Sequence, residues 1–259
     1  MTPDADILVA NRNTYPWLRL QAEQITRLKP RASFRYQIWD NNSTDGSKEW
    51  LASSGIEHHP KKYHVCHSNA LEALVDLSSA PVIVFMDSDA VPIKEGWLDD
   101  ALETLKEPKV GAVGLQFGPN TGKGPWSIPT IHPSFLVIRR DIFKNVGLSI
   151  REERVDGEYI DVAIPMGRRL NAAGLKLVFV GSPSLASMTP GQKVMHGYGA
   201  SRVLDTTYLK GDNKGSEGHT QRKAKEHLVS LERFGLKDLF LQYVRETLPR
   251  NPLCNRYLD

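Results

Sequence analysis

Over its first 90 residues the chain alternates short apolar blocks with stretches of helical periodicity. Ile7-Leu8-Val9-Ala10 reads as a strand, closed by the polar Asn11-Arg12-Asn13-Thr14. From Trp17 to Lys29, Leu18, Ala22, Ile25 and Leu28 recur at the spacing of a helix with one apolar face, and Thr14 or Asn13 stands as its cap. Phe34 to Trp39 alternates and stops at Asp40, Ile56 to His59 reads as a short third strand, and His67 to Leu77 as a helix with Leu71, Leu74 and Val75 turned inward. Val82-Ile83-Val84-Phe85-Met86 is continuously apolar, the pattern of a strand buried on both faces of a parallel sheet. Strands alternating with helices, each unit closing by a right-handed crossover, predict an α/β fold with a doubly wound, mostly parallel sheet.

Past a helix at Trp97 to Leu105 the pattern changes. Val110 to Leu115 and Ser134 to Ile138 read as strands, separated by the Gly- and Pro-rich Phe117 to Pro129 with Trp126 inside it. That segment is long for a connection within a compact domain and reads as a binding loop. Asp161 to Ala173 reads as a helix ended by Gly174, and Lys176 to Val180 as a strand; Pro165 requires the helix to begin near Asp161, because an interior proline clashes with the carbonyl four residues back. Ser216 to Leu248 is helical in pattern, with Leu236, Leu239, Phe240, Tyr243 and Val244 on one face. The expected division is a domain over 1–215, in halves 1–115 and 116–215, followed by a helical extension over 216–259.

Charge adds little to this picture. Lys and Arg total 33 against 30 Asp and Glu, and a formal charge of +3 is too small to argue for a nucleic-acid partner without a concentrated patch. In the tail, Arg222, Lys223, Lys225, Arg233, Lys237 and Arg245 alternate with Glu226, Glu232, Asp238 and Glu246, the mixture expected of a solvated face. Cys66 and Cys254 are far apart and form no metal spacing, which fits a reducing, cytoplasmic setting. No secretory signal is visible at the start, and no run approaches the roughly 20 apolar residues that span a bilayer, so any membrane contact is expected to be peripheral.

The chemistry gathers at strand ends. Three of the expected parallel strands finish at Ala10-Asn11, at Asp40 and at Asp87-Ser88-Asp89, on the sheet edge where open α/β sheets bind ligands. Two carboxylates one residue apart suit a hard divalent cation, Mg²⁺ or Mn²⁺, whose remaining positions are taken by waters and phosphate oxygens. A phosphorylated ligand is implied. Backbone groups after Ala10 and the Asp40 carboxylate can pair with a nucleobase edge while a metal at Asp89 holds a diphosphate. By itself, Asp40 to Ser47 is also an ordinary Asx-type turn with a helix cap.

Taken together, Asp40-Asn41-Asn42-Ser43-Thr44-Asp45-Gly46-Ser47, the Phe85-Met86-Asp87-Ser88-Asp89 strand end and the spacing between them resemble a family-2 glycosyltransferase of the GT-A fold, over roughly residues 6 to 200. The resemblance implies a Rossmann-like, mostly parallel sheet flanked by helices. It also implies a metal-dependent, inverting transfer of a sugar from a nucleotide-diphosphate donor, UDP favoured, to a hydroxyl acceptor, in surface polysaccharide or glycoconjugate synthesis. By that resemblance Asp89 is a ligand of Mn²⁺ or Mg²⁺, and Asp87 contacts the ribose or reaches the metal through water. His196, in Val194-Met195-His196-Gly197-Tyr198-Gly199-Ala200-Ser201-Arg202, is a third metal ligand, and Arg202 or Lys193 meets the diphosphate. An imidazole in the set favours Mn²⁺ over Mg²⁺.

Ala10, Asn11 and Arg12 stand where the family's first strand end holds the nucleotide, although the usual Pro-Thr pair is absent. Asp40 matches the base-binding acid, Asp87 and Ser88 lie on the nucleotide side, and Asn69 is either a polar contact or a helix cap. For the catalytic base the nearest equivalent is Asp161, with Glu158 second; Asp161 at a helix start is also a plain cap. His132 and Trp126 are candidates to line the acceptor site, and Gly197 with Gly199 permits a closing lid. Two other readings are a sugar-nucleotide nucleotidyltransferase, whose glycine-rich signature Asn11-Arg12-Asn13-Thr14-Tyr15 lacks, and a non-catalytic module that binds nucleotide sugars.

Overall fold

The computed structural model describes residues 2–117, 129–151, 153–155, 158–160, 163–205 and 217–258. The amino-terminal half runs β1 (Ala5–Asn11), α1 (Tyr15–Arg27), β2 (Phe34–Asp40), α2 (Ser47–Ser54), β3 (Glu57–Pro60), α3 (His67–Leu77), β4 (Val82–Met86), β5 (Ala90–Pro92) and α4 (Asp99–Thr104). It continues through β6 (Val110–Phe117), β7 (Thr130–Arg139), α5 (Arg140–Asn145), the hairpin β8 (Glu153–Val155) and β9 (Glu158–Ile160), α6 (Ala163–Ala172) and β10 (Lys176–Gly181). β11 (Val194–His196), α7 (Ala200–Leu204), α8 (Glu217–Arg233), α9 (Lys237–Thr247) and a 3₁₀ turn at Pro252–Tyr257 complete it. Pro165 is the third residue of α6, within the first turn, where its missing N–H costs no helical bond. Among the described residues no helix is long and apolar enough to cross a membrane.

Seven strands form the main sheet in the order β10-β6-β7-β4-β1-β2-β3. β7 alone runs antiparallel to its neighbours, so the sheet is mostly parallel, as the apolar blocks predict. Alternate residues of β1 divide between two cores. Ile7 and Val9 pack with Leu18 and Ile25 of α1 and with Trp97 and Leu98 at the head of α4, whereas Leu8 and Ala10 pack with Leu71 and Leu74 of α3, Phe143 of α5 and Leu170 of α6. Both faces are covered, which is why β1 and β4 carry near-continuous apolar runs at Ile7 to Ala10 and Val82 to Met86. Because β1 has β2 on one side and β4 on the other, the connections leave in opposite directions between β1 and β4, opening a crevice at their carboxyl ends.

The tail differs from the single helical pattern read from its sequence. α8 ends where Gly235 takes φ +66°, with Leu236 N–H on Leu231 O at 2.9 Å and Gly235 N–H on Glu232 O at 3.0 Å, a left-handed stop that glycine enters without a Cβ clash. α9 then folds back, and Phe240, Tyr243, Val244 and Tyr257 share a third core with Trp17 and Leu20 on the outer face of α1, Val91 of β5 and Met195 of β11. The carboxyl-terminal residues are thus packed onto the elements that lead to the crevice.

Asp6, inside β1, is a fully buried acid that faces Arg35 of β2 in register. Arg35 Nε and Nη2 each donate to its carboxylate at 2.9 Å, and Ser78 Oγ (2.6 Å), Ser79 N (2.8 Å) and Ala80 N (3.0 Å) complete the shell. Burial alone would raise this carboxyl's pKa, but Arg35 and the N–H and O–H donors outweigh it and hold it at about 2. Its contribution is therefore full above the unfolded value near 4 and is lost as the pH falls through about 2. Asp6→Asn is expected to lower the unfolding free energy by about 2–3 kcal/mol at pH 7 in a urea titration, with the gap to the parent closing below pH 3.

Candidate active site

β4 delivers the chain to the crevice at Met86, and Asp87-Ser88-Asp89 turns it into β5. Ala90 N–H closes the turn on Asp87 O at 2.9 Å. The Gln21 side chain, buried in α1, donates to Asp87 O (2.7 Å) and Ala90 O (2.5 Å), and is itself fixed by the Tyr36 hydroxyl at 2.6 Å. β5 then pairs antiparallel with β11, placing Ala90 opposite His196, and Gly197 N–H donates to Asp89 O at 2.8 Å. This pairing brings an imidazole from late in the sequence to the two carboxylates.

His196 Nε2 lies 3.1 Å from Asp89 Oδ1 and 3.4 Å from Asp87 Oδ2, and one donor atom from each of the three side chains lies within 4.8 Å of the others. Asp89 and His196 are buried. Desolvation opposes charge on Asp87, yet hydrogen bonds from His196 and from His67, whose Nε2 is 3.5 Å away, hold its pKa well below the ordinary carboxylate range. On His196 burial disfavours the imidazolium, but Asp89 and Asp87 prevail and lift its pKa to about 10. The cluster therefore demands positive charge. Two carboxylate oxygens and an imidazole nitrogen are a donor set that suits Mn²⁺ and, less well, Mg²⁺, with the open side toward the cleft.

The cleft, of about 240 Å³, is walled by Ala10, Asn11, Arg12, Thr14 and Asn41 on one side and by His132, His196, Tyr198, Gly199 and Ser201 on the other, with His67 and Asp87-Ser88-Asp89 between them. The wall at β1 is tied to the carboxylate turn by hydroxyls: Thr14 Oγ1 is 2.7 Å from both Asn11 Oδ1 and Ser88 Oγ. Thr14 stands at the cap position of α1, but its hydroxyl is spent there, and Asp45 Oδ2 accepts from Tyr15 N–H at 2.7 Å instead. Arg12 pairs with Asp205 at 2.9 Å and donates to Asn41 O at 3.3 Å.

A model of the family described as "Glycosyl transferase family 2" matches residues 6–163, more than half of the chain. The chain belongs to glycosyl transferase family 2. Among curated proteins it is 23% identical over 246 residues to an O-antigen biosynthesis protein, RfbC, of Myxococcus xanthus, covering 79% of this chain but only 18% of that protein's length. Among solved structures it is similar to the mannosyltransferase PcManGT from Pyrobaculum calidifontis in complex with GDP-Man and Mn²⁺ (TM-score 0.56, 15% identity, 95% of this chain and 75% of that one). It is also similar to S. aureus TarS 1-349 in complex with UDP-GlcNAc (TM-score 0.54, 14% identity, 90% of this chain and 73% of that one). These likenesses, with the sheet order above, make the fold GT-A in type.

Measured against the sequence expectations for a family-2 chain, the structure brings Ala10, Asn11, Arg12, Asp87, Ser88, Asp89, His132 and His196 together around one cleft. It sets others apart. Asp40 is fully buried behind the wall, its carboxylate accepting from Asn11 Nδ2 (3.0 Å) and Ser43 N (3.2 Å), so the cleft meets Asn41 in its place. Asn41 is in turn locked to the Val65 backbone through both ends of its amide, at 2.7 and 2.8 Å. Asn69 is exposed on α3 and lies outside the cleft lining. Lys193 is occupied by Asp100 at 2.6 Å, on the far side of β11.

Asp161 and Trp126 fall outside the described residues, as do the side chains of Glu158 on β9 and Arg202 on α7. The two glycines read as a lid serve separate ends: a Cβ on Gly197 would come 2.8 Å from the Trp17 ring, whereas Gly199 opens α7 at φ +88°. Missed in the sequence were His67, Thr14, Tyr198 and Gln21, whose roles arise from pairings across the fold that no local spacing records. In urea titrations Gln21→Leu is expected to cost about 2 kcal/mol and Tyr36→Phe about 1 kcal/mol. The double variant should cost less than their sum, since both act on the one carboxylate turn.

Proposed function

We propose that this chain transfers a sugar from a nucleotide-diphosphate donor to a hydroxyl acceptor, with Mn²⁺ or Mg²⁺ held by Asp89, His196 and Asp87. The observation that carries this reading is the cluster of two carboxylates and an imidazole within 4.8 Å, set in a cleft at the carboxyl ends of β1 and β4. Family membership and similar proteins crystallised with GDP-Man and Mn²⁺ or with UDP-GlcNAc support it. Bound there, the cation supplies the positive charge that steadies a diphosphate as it leaves.

The chain's own groups take the remaining roles. Asn11, Arg12 and Asn41 hold the nucleoside end, with Asp40 bracing Asn11 from behind. Thr14, Ser88 and His67 border the diphosphate, joined by Arg202, while Tyr198 and His132 close the side on which the sugar lies. His132 accepts from Ser134 N–H through Nδ1 at 3.0 Å, so its neutral ring carries the proton on Nε2. Asp161, with Glu158 second, takes the acceptor proton in a single in-line displacement that inverts the anomeric carbon. UDP is the favoured carrier, and the likeness to an O-antigen biosynthesis protein supports a role in surface polysaccharide assembly.

Thermal unfolding with UDP, GDP and their sugar conjugates, each with and without Mn²⁺, tests the donor. One base should raise the midpoint by roughly 5 °C at saturating ligand, only when Mn²⁺ is present, and Asp89→Asn should abolish that rise. Absence of any metal-dependent rise would sink the reading. Asp161→Asn is expected to lose transfer by at least a hundredfold while keeping the nucleotide-dependent rise. Unchanged transfer in both Asp161→Asn and Glu158→Gln would remove these acids as bases, and a parent chain that binds the donor but releases no nucleotide to any acceptor would be a binding module.

A further inference from the structure

Metal-binding histidines are ordinarily oriented through their second ring nitrogen, which donates to a carbonyl or carboxylate and fixes both tautomer and ring plane. His196 departs from this. Its Nε2 faces Asp89 and Asp87, while Nδ1 is buried and has no hydrogen-bond partner among the described residues. The direction of the ring then comes from its contacts with the His132 and Tyr198 rings, 5.7 and 5.8 Å away, and from the backbone that carries it. On one side that backbone is held by the pairing of β11 with β5 and by Gly197 N–H on Asp89 O at 2.8 Å. On the other, His227 of α8 reaches across to the Tyr198 carbonyl, its Nε2 3.3 Å away.

The chemistry of the partners fixes the sense of each bond. A carbonyl only accepts, so His227 carries its proton on Nε2. The ring is fully buried, and burial depresses its pKa to about 4, so at neutral pH Nδ1 keeps a lone pair. Tyr257 Oη lies 2.9 Å from that lone pair and donates to it, and accepts in turn from Trp17 Nε1 at 3.1 Å. The result is an ordered series from Trp17 to Tyr257 to His227 to the Tyr198 carbonyl. Trp17 closes the figure: its ring meets His227 edge-on at 5.2 Å and lies against Gly197, where a Cβ would come within 2.8 Å. The indole and imidazole together grip the two residues that follow His196.

We propose that His227 is a positioning residue for the metal ligand His196, pinning the Tyr198 carbonyl so that the His196 ring meets Asp87 and Asp89 in a fixed attitude. This rests on the reading of the Asp87, Asp89 and His196 cluster as a cation site. It assigns the carboxyl-terminal segment a part in metal binding, although none of its described side chains lines the cleft.

The test is a titration of the full chain with Mn²⁺ alone, the free ion followed by electron paramagnetic resonance, alongside the melting temperature of each variant. His227→Asn keeps a polar atom near Tyr257 but is too short for the Tyr198 carbonyl, whereas His227→Gln places an N–H near the position of Nε2. His227→Asn is expected to weaken Mn²⁺ binding about tenfold or more, the effect usual for losing a partner that orients a ligand, and His227→Gln to recover most of it. Mn²⁺ affinity unchanged in both, or following melting temperature instead of the retained donor, overturns the proposal. If neither variant folds, the near-isosteric Tyr257→Phe decides: a several-fold loss supports the role and parental affinity ends it. A parent chain that binds no Mn²⁺ removes the cation site and this inference with it; a parent that binds, with unaffected variants, removes the positioning role alone.

Discussion

Two carboxylates held close together in a largely dehydrated crevice repel one another, and compensating that repulsion is the requirement on which the rest of this structure turns. Asp87 and Asp89 sit there because β4 stops at the switch between β1 and β4 and turns sharply into β5. In water their repulsion would be slight, but removed from solvent it is several-fold larger and has to be met by positive charge nearby. His196 supplies part of it, lifted to a pKa of about 10 by the same two acids. A divalent cation held by Asp87, Asp89 and His196 would meet the demand more fully.

Holding the cluster in place draws on elements with no side chain in the cleft. Gln21 clamps two carbonyls of the carboxylate turn, and Tyr36 on the neighbouring strand clamps Gln21. Asp40 and Ser43 stabilise the amide of Asn11, which with Thr14 and Ser88 joins the end of β1 to the carboxylate turn. On the opposite side the carboxyl-terminal helices bury Phe240, Tyr243 and Tyr257 against α1 and carry His227 to the loop after β11. Rigid support of this kind is what a phosphate-transfer or glycosyl-transfer site needs, because small displacements of a ligand degrade both metal affinity and the line of attack.

Much of the scaffold was legible in the chain. The unbroken apolar run of Val82 to Met86, the helical spacing in α1 and the exact span of α3 all follow from burial periodicity, a local property. The carboxylate pair announced itself for the same reason, since charge directly after a doubly buried strand has nowhere to lie but the sheet edge. Less legible were elements whose identity rests on a partner. β5 and β11 are three residues each and exist through their pairing with one another. The helix pattern from Ser216 to Leu248 hid the reversal at Gly235, because both helices present apolar residues at similar spacing. Asp40 was legible as a polar strand end, but its inward direction was not.

By itself the sequence determined the α/β alternation, the sheet edge that bears the chemistry and the pair of acids at its centre, because hydrophobic period and strand-end charge are written in consecutive residues. Tertiary structure decided which groups face the cleft and which brace it. Asn41 took the place at the cleft, and Asp40 became the brace of Asn11; His196 reached the acids through a strand pairing, and Trp17, Tyr257 and His227 were ordered behind it. Those outcomes depend on the direction of single side chains across long separations in sequence. Direction of that kind is set by packing and hydrogen-bond satisfaction in three dimensions, which no local pattern carries.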